Sequence, residues 1–356
     1  MSVRGRWTKA LRCAAFLCIL GLLLFFLGKI LRQKNHEYLP SKEPQLEGSE
    51  CEVLLLGPST IMNGVYPLQL WDEYGMVSYN CGTGGQSFTV SYYVLKELIK
   101  RGNPKLVVLD CGKARSKRTV VEIGNLHYAT DVMRYFAPER WELIKTASVE
   151  RGYSFDEVMG IALPVIAYHE RWQHLKRSDF QRDIKYTTYG AKVDPRVCTE
   201  ADPLEPYAAS PDASLSPVSE TYLRKIIDLC REQGIQLLLM TFPNMTTAYD
   251  VSQRGYCARV DAAAAVQKVA DECGVTHLNL IDEGTAIGLT PRTDTGDGQH
   301  LNYHGARIFT SWLGAYLRDH FDVADHSGDP SYAYLDEAYA AFSEYASKYV
   351  AEWAAK

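Results

Sequence analysis

A parallel α/β sheet with helices on both faces is the fold class this sequence predicts, and three observations carry it. Short, mostly apolar runs such as Val53-Leu-Leu-Leu56, Lys105-Leu-Val-Val-Leu-Asp110 and Gln236-Leu-Leu-Leu-Met-Thr-Phe-Pro243 are too brief for helices and too uniformly apolar for half-exposed strands. Turn residues end each run, and stretches of helical periodicity separate them. The chain has 356 residues and is 46% hydrophobic, enough for one large α/β domain or two small ones. A net charge of -5, spread along the chain in both signs, leaves no basic stripe for nucleic acid and no acidic solvating tail.

The first element in order is a membrane segment. Cys13 to Gly28 is unbroken apolar sequence, reaching about 20 residues if Arg12 and Lys29 snorkel to the headgroups. Arg4, Arg6, Lys9 and Arg12 precede it without an acidic residue, so the remainder of the chain is expected outside the cytoplasm. A cleaved signal peptide is the rival, but Lys29-Ile-Leu-Arg32 is a poor cleavage context. Residues 1–9 are thus expected to be cytoplasmic, 10–31 a transmembrane signal anchor and 32–50 a charged, Pro-containing linker.

After the linker, Val53 to Leu56 reads as a buried strand leaving the sheet sharply at Gly57-Pro58-Ser59. Pro67 to Gly75 is a short helix with Pro at its start and Gly at its stop. Val77 to Asn80 is a strand running into the Gly-rich turn Cys81-Gly-Thr-Gly-Gly-Gln-Ser87, which opens a helix from about Phe88 to Lys100. Lys105 to Asp110 follows as a third strand. Strand and helix alternating with short links give right-handed parallel crossovers.

The alternation then stops for residues 112–214, a stretch rich in Tyr, Trp, Arg and His. A structureless loop of that length is implausible, so it reads as an inserted helical cap, with helices near Pro138–Ala147 and Phe155–Lys176. Its aromatic and Arg content suits either a glycan-binding surface or a packed lid. Helix 218–232, strand 236–243, helix 259–273, strand 276–280 and helix 303–320 resume the pattern. Residues 326–356 read as an amphipathic helix that docks on the domain or, failing that, meets a membrane or partner. Of nine cysteines, two lie in the anchor, and one bridge among Cys198, Cys257 and Cys273 is allowed without being assigned.

Three places fall at carboxyl edges of the inferred strands, where open α/β sheets put their sites: Ser59, the turn ending at Gly85, and the loop with Asp297 and His300. A serine is a weak nucleophile until a base takes its proton and an acid orients that base. Each signal is weak alone, since Ser after Gly-Pro also serves as a turn residue and Asp-x-x-His is common. Their combination is more specific. His169 and His174, five apart and without a Cys or carboxylate to complete a set, point to structural roles, and no metal or cofactor is expected. No GxxxxGK[ST] occurs, Gly82-x-Gly84-Gly85 lacks the dinucleotide spacing, and Asn244-Met-Thr246 is more economically a turn.

Gly57-Pro58-Ser59, Asn80-Cys-Gly-Thr-Gly-Gly85-Gln-Ser87 and Asp297-Gly-Gln-His300-Leu-Asn resemble the first, second and last sequence blocks of the SGNH (GDSL-like) hydrolases. The resemblance spans about Cys51–Asp110 and Val218–His320, within an SGNH-like domain of residues 51–325. It implies a three-layer αβα sheet, with Ser59 as nucleophile, His300 as base and Asp297 as its orienting acid. It further implies that the N–H groups of Ser59 and Gly85 bind the oxyanion. Asn80 and Gln86 would either touch substrate or hold the turn. Two departures stand out: Pro58 replaces the family's frequent Asp, and Asp110-Cys-Gly112-Lys-Ala-Arg115 lacks the Asn usual after the third strand. Losing one oxyanion donor costs on the order of a hundredfold in rate, and Lys113, Arg115 or a cap residue could replace it.

The anchored layout, with the cap phrases Tyr168-His-Glu-Arg-Trp172 and Ser178-Asp-Phe180, is similar to the teichoic-acid D-alanyl transfer protein and the polysaccharide O-acetylation proteins of bacterial envelopes. The resemblance implies a cell-membrane protein acting on ester-linked acyl groups of envelope glycans or teichoic acids, by hydrolysis or transfer. Its partners would be the polymer or its acyl donor and a membrane-bound O-acyltransferase. The alternative is an inactive envelope scaffold on the same fold.

Overall fold

The computed structural model describes residues 3–31, 51–120, 122–131, 133–175, 180, 188–199, 202–245 and 252–355. The expected linker at 32–50 lies outside them, as do Ser178, Asp179 and Thr246. Helix α1 (Val3–Leu31) is the one described helix long and apolar enough to cross a membrane; its apolar stretch, Trp7–Gly28, has mean hydropathy 2.5.

Five strands, β1 (Val53–Leu56), β2 (Ser78–Asn80), β3 (Leu106–Asp110), β4 (Gln236–Thr241) and β5 (Thr276–Asn279), form an all-parallel sheet in the order β2-β1-β3-β4-β5. Leu54 pairs with Tyr79 on one side and Val107 on the other, and Asp110 pairs with Met240. Strands β1, β2 and β3 are buried along their whole length, which is why they read as continuous apolar runs rather than alternating ones. The order reverses between β1 and β3. That is the topological switch point where a crevice opens beyond the strand ends.

Helices α2 (Ser59–Gly64) and α3 (Pro67–Tyr74) follow β1, and α4 (Phe88–Leu98) follows β2. The inserted region supplies α5 (Ile123–Asp131), α6 (Pro138–Arg151), α7 (Phe155–Ala162) and α8 (Pro164–Ala167), then a 3-10 helix, His169–His174. The single helix expected over Phe155–Lys176 is therefore three pieces. Pro164 lacks the N–H needed by the helix before it, and it holds Leu163 extended at φ -120°, ψ 94°.

Beyond the cap come α9 (Pro217–Glu232), α10 (Gln253–Cys273), two single turns α11 (Gly284–Ile287) and α12 (Pro291–Asp294), α13 (Tyr303–His320) and α14 (Ala333–Ala354). Helix α10 starts six residues before the periodicity suggests, because Ser252 caps it by accepting from Gly255 N. Helices α4, α9 and α10 pack together as one layer, and α3, α13 and α14 as another. The tail helix α14 docks through Leu335, Phe342 and Ala346, with Trp71 Nε1 donating to Asp336 at 2.9 Å.

All nine cysteines are free thiols, which overturns the allowed bridge. Cys257 and Cys273 share α10, sixteen residues and roughly 24 Å apart, and Cys198 is buried with its N–H on the Thr295 carbonyl.

Candidate active site

Strand β1 ends in two residues that force the chain to turn. Gly57 adopts φ +139°, and a Cβ there would come within 2.7 Å of Asp110 Cβ, so only glycine fits between β1 and β3. Pro58 stands as the N-cap of α2, and Ser59 is the first helical residue. At that position the Ser59 N–H has no partner inside the helix and is left over as a donor. Beneath it, Asp110 accepts hydrogen bonds from the Thr60 hydroxyl and from Gly112 N, the latter at 2.8 Å. Burial raises the Asp110 carboxyl to about 6, against the pull of those hydrogen bonds.

The opposite wall is the loop before α13. Ser59 Oγ lies 2.7 Å from His300 Nε2, while His300 Nδ1 lies 2.9 Å from Asp297 Oδ2 and 3.1 Å from Oδ1. Residues 241 positions apart thus join in one hydrogen-bonded chain, Ser59 to His300 to Asp297. Asp297 also accepts from the backbone N–H groups of Gln299 and His300, at 3.2 and 2.8 Å. Burial alone would raise its carboxyl. The hydrogen bonds and charge of His300 prevail and hold it well below the usual carboxylate range. With Nδ1–H donated to a fixed carboxylate, Nε2 faces the serine hydroxyl as the acceptor, the tautomer a general base needs. A second Asp-His pair in this loop, Asp294 with His304 at 2.5 Å, braces the entry to α13.

Two further residues complete the acid's surroundings, and no sequence pattern marked them. Arg196 forks onto Asp194 with Nε at 2.9 Å from Oδ1 and Nη2 at 2.6 Å from Oδ2, and its Nη2 reaches Asp297 at 3.2 Å. Asp194 is buried, and a side chain at Gly296 would strike it at 2.8 Å. The Asp194-Pro-Arg196 stretch lies in the cap's return to the core, with no periodicity or motif to flag it.

Gly85 adopts φ +67°, and a Cβ there would meet Asn125 of α5 at 2.8 Å. Asn125 Nδ2 donates to the Gly84 carbonyl at 2.8 Å, so the cap itself clasps this turn. The glycine makes room for Asn125, a reason the sequence could not supply. Asn80 is spent on the scaffold, donating to the carbonyls of Ile61 at 2.8 Å and Val65 at 3.0 Å and accepting from Gly82 N. Gln86 is likewise buried between Thr83 and Ser91, at 2.8 and 3.0 Å. Both hold the turn through these bonds, one of the two roles expected for them.

A groove of about 1120 Å³ opens near the same sheet edge, lined by Asn244, Tyr207, Tyr256, Asp282, Thr290 and Arg292 among others. Neither Ser59 nor His300 lines it, so the hydrogen-bonded chain, rather than the groove, marks the chemistry. Among the described residues no three His, Cys, Asp or Glu side chains gather as a metal set.

No protein-family model matches the chain, and no curated protein does. Solved structures overlap it at low identity. A protein from Lactobacillus plantarum is 14% identical, with TM-score 0.38 over 76% of this chain and 97% of that one. A candidate acylhydrolase from Bacteroides fragilis is 10% identical, with TM-score 0.34 over 81% and 97%. A candidate GDSL-like lipase from Parabacteroides merdae is 12% identical, with TM-score 0.37 over 75% and 95%. Scores of this size leave the chemistry to be read from the site itself.

Proposed function

We propose that the protein is a membrane-anchored serine acyl-ester hydrolase or acyltransferase whose domain lies outside the cytoplasm. The observation that carries this reading is the chain from Ser59 through His300 to Asp297 at the switch point of the sheet. His300 takes the Ser59 proton as Oγ attacks an ester carbonyl, forming a C–O bond and a tetrahedral oxyanion. In this reading the backbone N–H groups of Ser59 and Gly85 receive that charge. Collapse expels the alcohol, protonated by His300, and leaves an acyl-serine. Water or a sugar or polyol hydroxyl, deprotonated in turn by His300, then accepts the acyl group.

The acyl group in this reading is of O-acetyl or D-alanyl type, carried by an envelope glycan or teichoic acid. A membrane-bound O-acyltransferase partner would supply the donor. Anchoring favours transfer, because it holds the site beside both polymer and membrane donor. The second reading is an inactive scaffold, favoured by one observation: the exit of β3 carries Lys113 and Arg115 where a carboxamide donor would be expected.

Labelling of the full-length protein with a fluorophosphonate separates the two. An activated serine gives labelling that disappears in Ser59→Ala and falls steeply in His300→Ala. A folded wild type that stays unlabelled would retire the catalytic reading.

A further inference from the structure

The cap carries large apolar side chains that the core leaves uncovered. Phe136 is 79% exposed, Phe155 77% and Trp172 64%. On α6, Trp141, Lys145 and Val149 follow one another at intervals of four and all face outward, a stripe along one side of the helix. Aromatic surface in this quantity normally marks a contact.

The same part of the cap touches α1. The Tyr135 ring meets the Phe25 ring edge-on, centroids 6.2 Å apart, and also meets Phe136 and Trp141 at 4.9 and 6.0 Å. Farther along α1, Arg171 Nη1 donates to the Leu31 carbonyl at 2.8 Å, and α8 and the 3-10 helix pack against α1. These contacts run along roughly 9 Å of helix axis from Phe25 to Leu31. Phe25 belongs to the apolar stretch that ends at Gly28. It therefore lies three residues, or about 4.5 Å, inside that end. In a chain whose α1 crosses a bilayer, a side chain packed on Phe25 stands at the boundary between acyl chains and headgroups.

Resting on the reading of α1 as a membrane span, we infer that the aromatic edge of the cap, around Tyr135, Phe136, Trp141 and Trp172, is a bilayer-contact surface. The occupant is lipid rather than a protein because the patch is continuous with the lipid-facing helix. Its composition also fits: Tyr and Trp suit the interface, and Lys145 can bury its stem while its ammonium stays at headgroup level. The consequence reaches the candidate active site. Through Asn125 the cap also holds the Gly84 carbonyl, so a cap seated in the interface sets the catalytic edge at a fixed height. An ester presented at the membrane surface is the substrate geometry this favours.

The test uses the wild-type full chain in nanodiscs of phosphatidylcholine and phosphatidylglycerol containing a lipid with a photoactivatable diazirine in its acyl chain. After irradiation, lipid adducts are mapped by mass spectrometry. Adducts on α1 together with peptides covering 135–149 or 166–175 are the expected result. Adducts on α1 alone would overturn the inference while leaving the anchor intact. Adducts on neither would remove the anchor and the inference together, whatever the outcome of serine labelling. A second measurement needs no mapping: bromine-labelled lipids should quench wild-type tryptophan emission, and Trp172→Phe should lose part of that quenchable emission. An unchanged quenchable fraction in Trp172→Phe would count against the bilayer as the covering.

Discussion

Asp110 and Asp297 flank the same serine turn from opposite sides, and their surroundings push their protons in opposite directions. Asp297 keeps part of its surface in water, accepts two backbone N–H groups and faces His300, so it stays ionised far below neutrality. Asp110 is almost fully enclosed between β1 and β3 and receives the Thr60 hydroxyl and Gly112 N, yet burial still raises it to about 6. Asp297 is hydrogen-bonded to His300 and ion-paired with Arg196 at 3.2 Å, whereas no salt bridge joins Asp110 to a described residue. The lesson is that hydrogen bonds and a neighbouring charge outweigh burial at Asp297, whereas burial outweighs the hydrogen bonds at Asp110.

The contrast can be broken most severely at Asp297. In Asp297→Asn the carboxamide can offer His300 Nδ1 an N–H instead of an acceptor, favouring the wrong tautomer. Turnover of p-nitrophenyl acetate should fall on the order of ten-thousand-fold with the fold intact, by analogy with the handling of a triad acid elsewhere. Loss of tenfold or less would mean that Asp297 merely shapes the loop.

Asp110→Asn probes the other side through stability. The Asp110 value in the folded protein is above the ordinary carboxyl value of the unfolded chain. Its contribution is therefore fully present below about pH 4 and lost as pH rises through about 6. Removing the titration should flatten the stability difference between pH 4 and pH 7 by at most about 3 kcal/mol, read from denaturant melts at each pH. Asp297 has the reverse sign, adding stability above the unfolded carboxyl range and losing it as pH falls through its lower folded value. An Asp110→Asn difference that grows in the Asp297 direction would refute the contrast.

The smallest effect is expected at Arg196, whose side chain is 43% exposed and shared between Asp194 and Asp297. Screening by water limits such a pair to about 1 kcal/mol or less. Arg196→Gln should accordingly lower kcat only a few-fold while leaving KM nearly unchanged. Removing the cation also removes opposition to protonating the Asp-His pair, so the acid limb of the pH–rate profile should move to higher pH. A change confined to KM would instead make Arg196 a substrate contact.

Much of the scaffold was legible because each element carries its own local cause. Val53 to Leu56 is apolar on both faces because both faces are covered, and Gly75 ends α3 in the left-handed conformation that glycine tolerates. The helix expected over about 303–320 is found at Tyr303–His320, where Asn302 caps it by accepting from His304 N and Gly305 N. Ser59, Asp297 and His300 were singled out by residue type at strand ends, and they meet in one hydrogen-bonded chain.

The sequence by itself thus determined the strands, the longer helices of the sheet layers and the candidate residues Ser59, Asp297 and His300, because propensity, periodicity and capping act within a few positions along the chain. Only the tertiary structure decided that Asn80 and Gln86 face inward, that Asn125 fills the space above Gly85, and that Arg196 bridges Asp194 to Asp297. It alone also laid Tyr135 of the cap against Phe25 of α1. Apart from Gln86, whose partners lie within five positions, those contacts join residues far apart along the chain, where no local preference records which side chains will share a dry space and satisfy one another's hydrogen bonds.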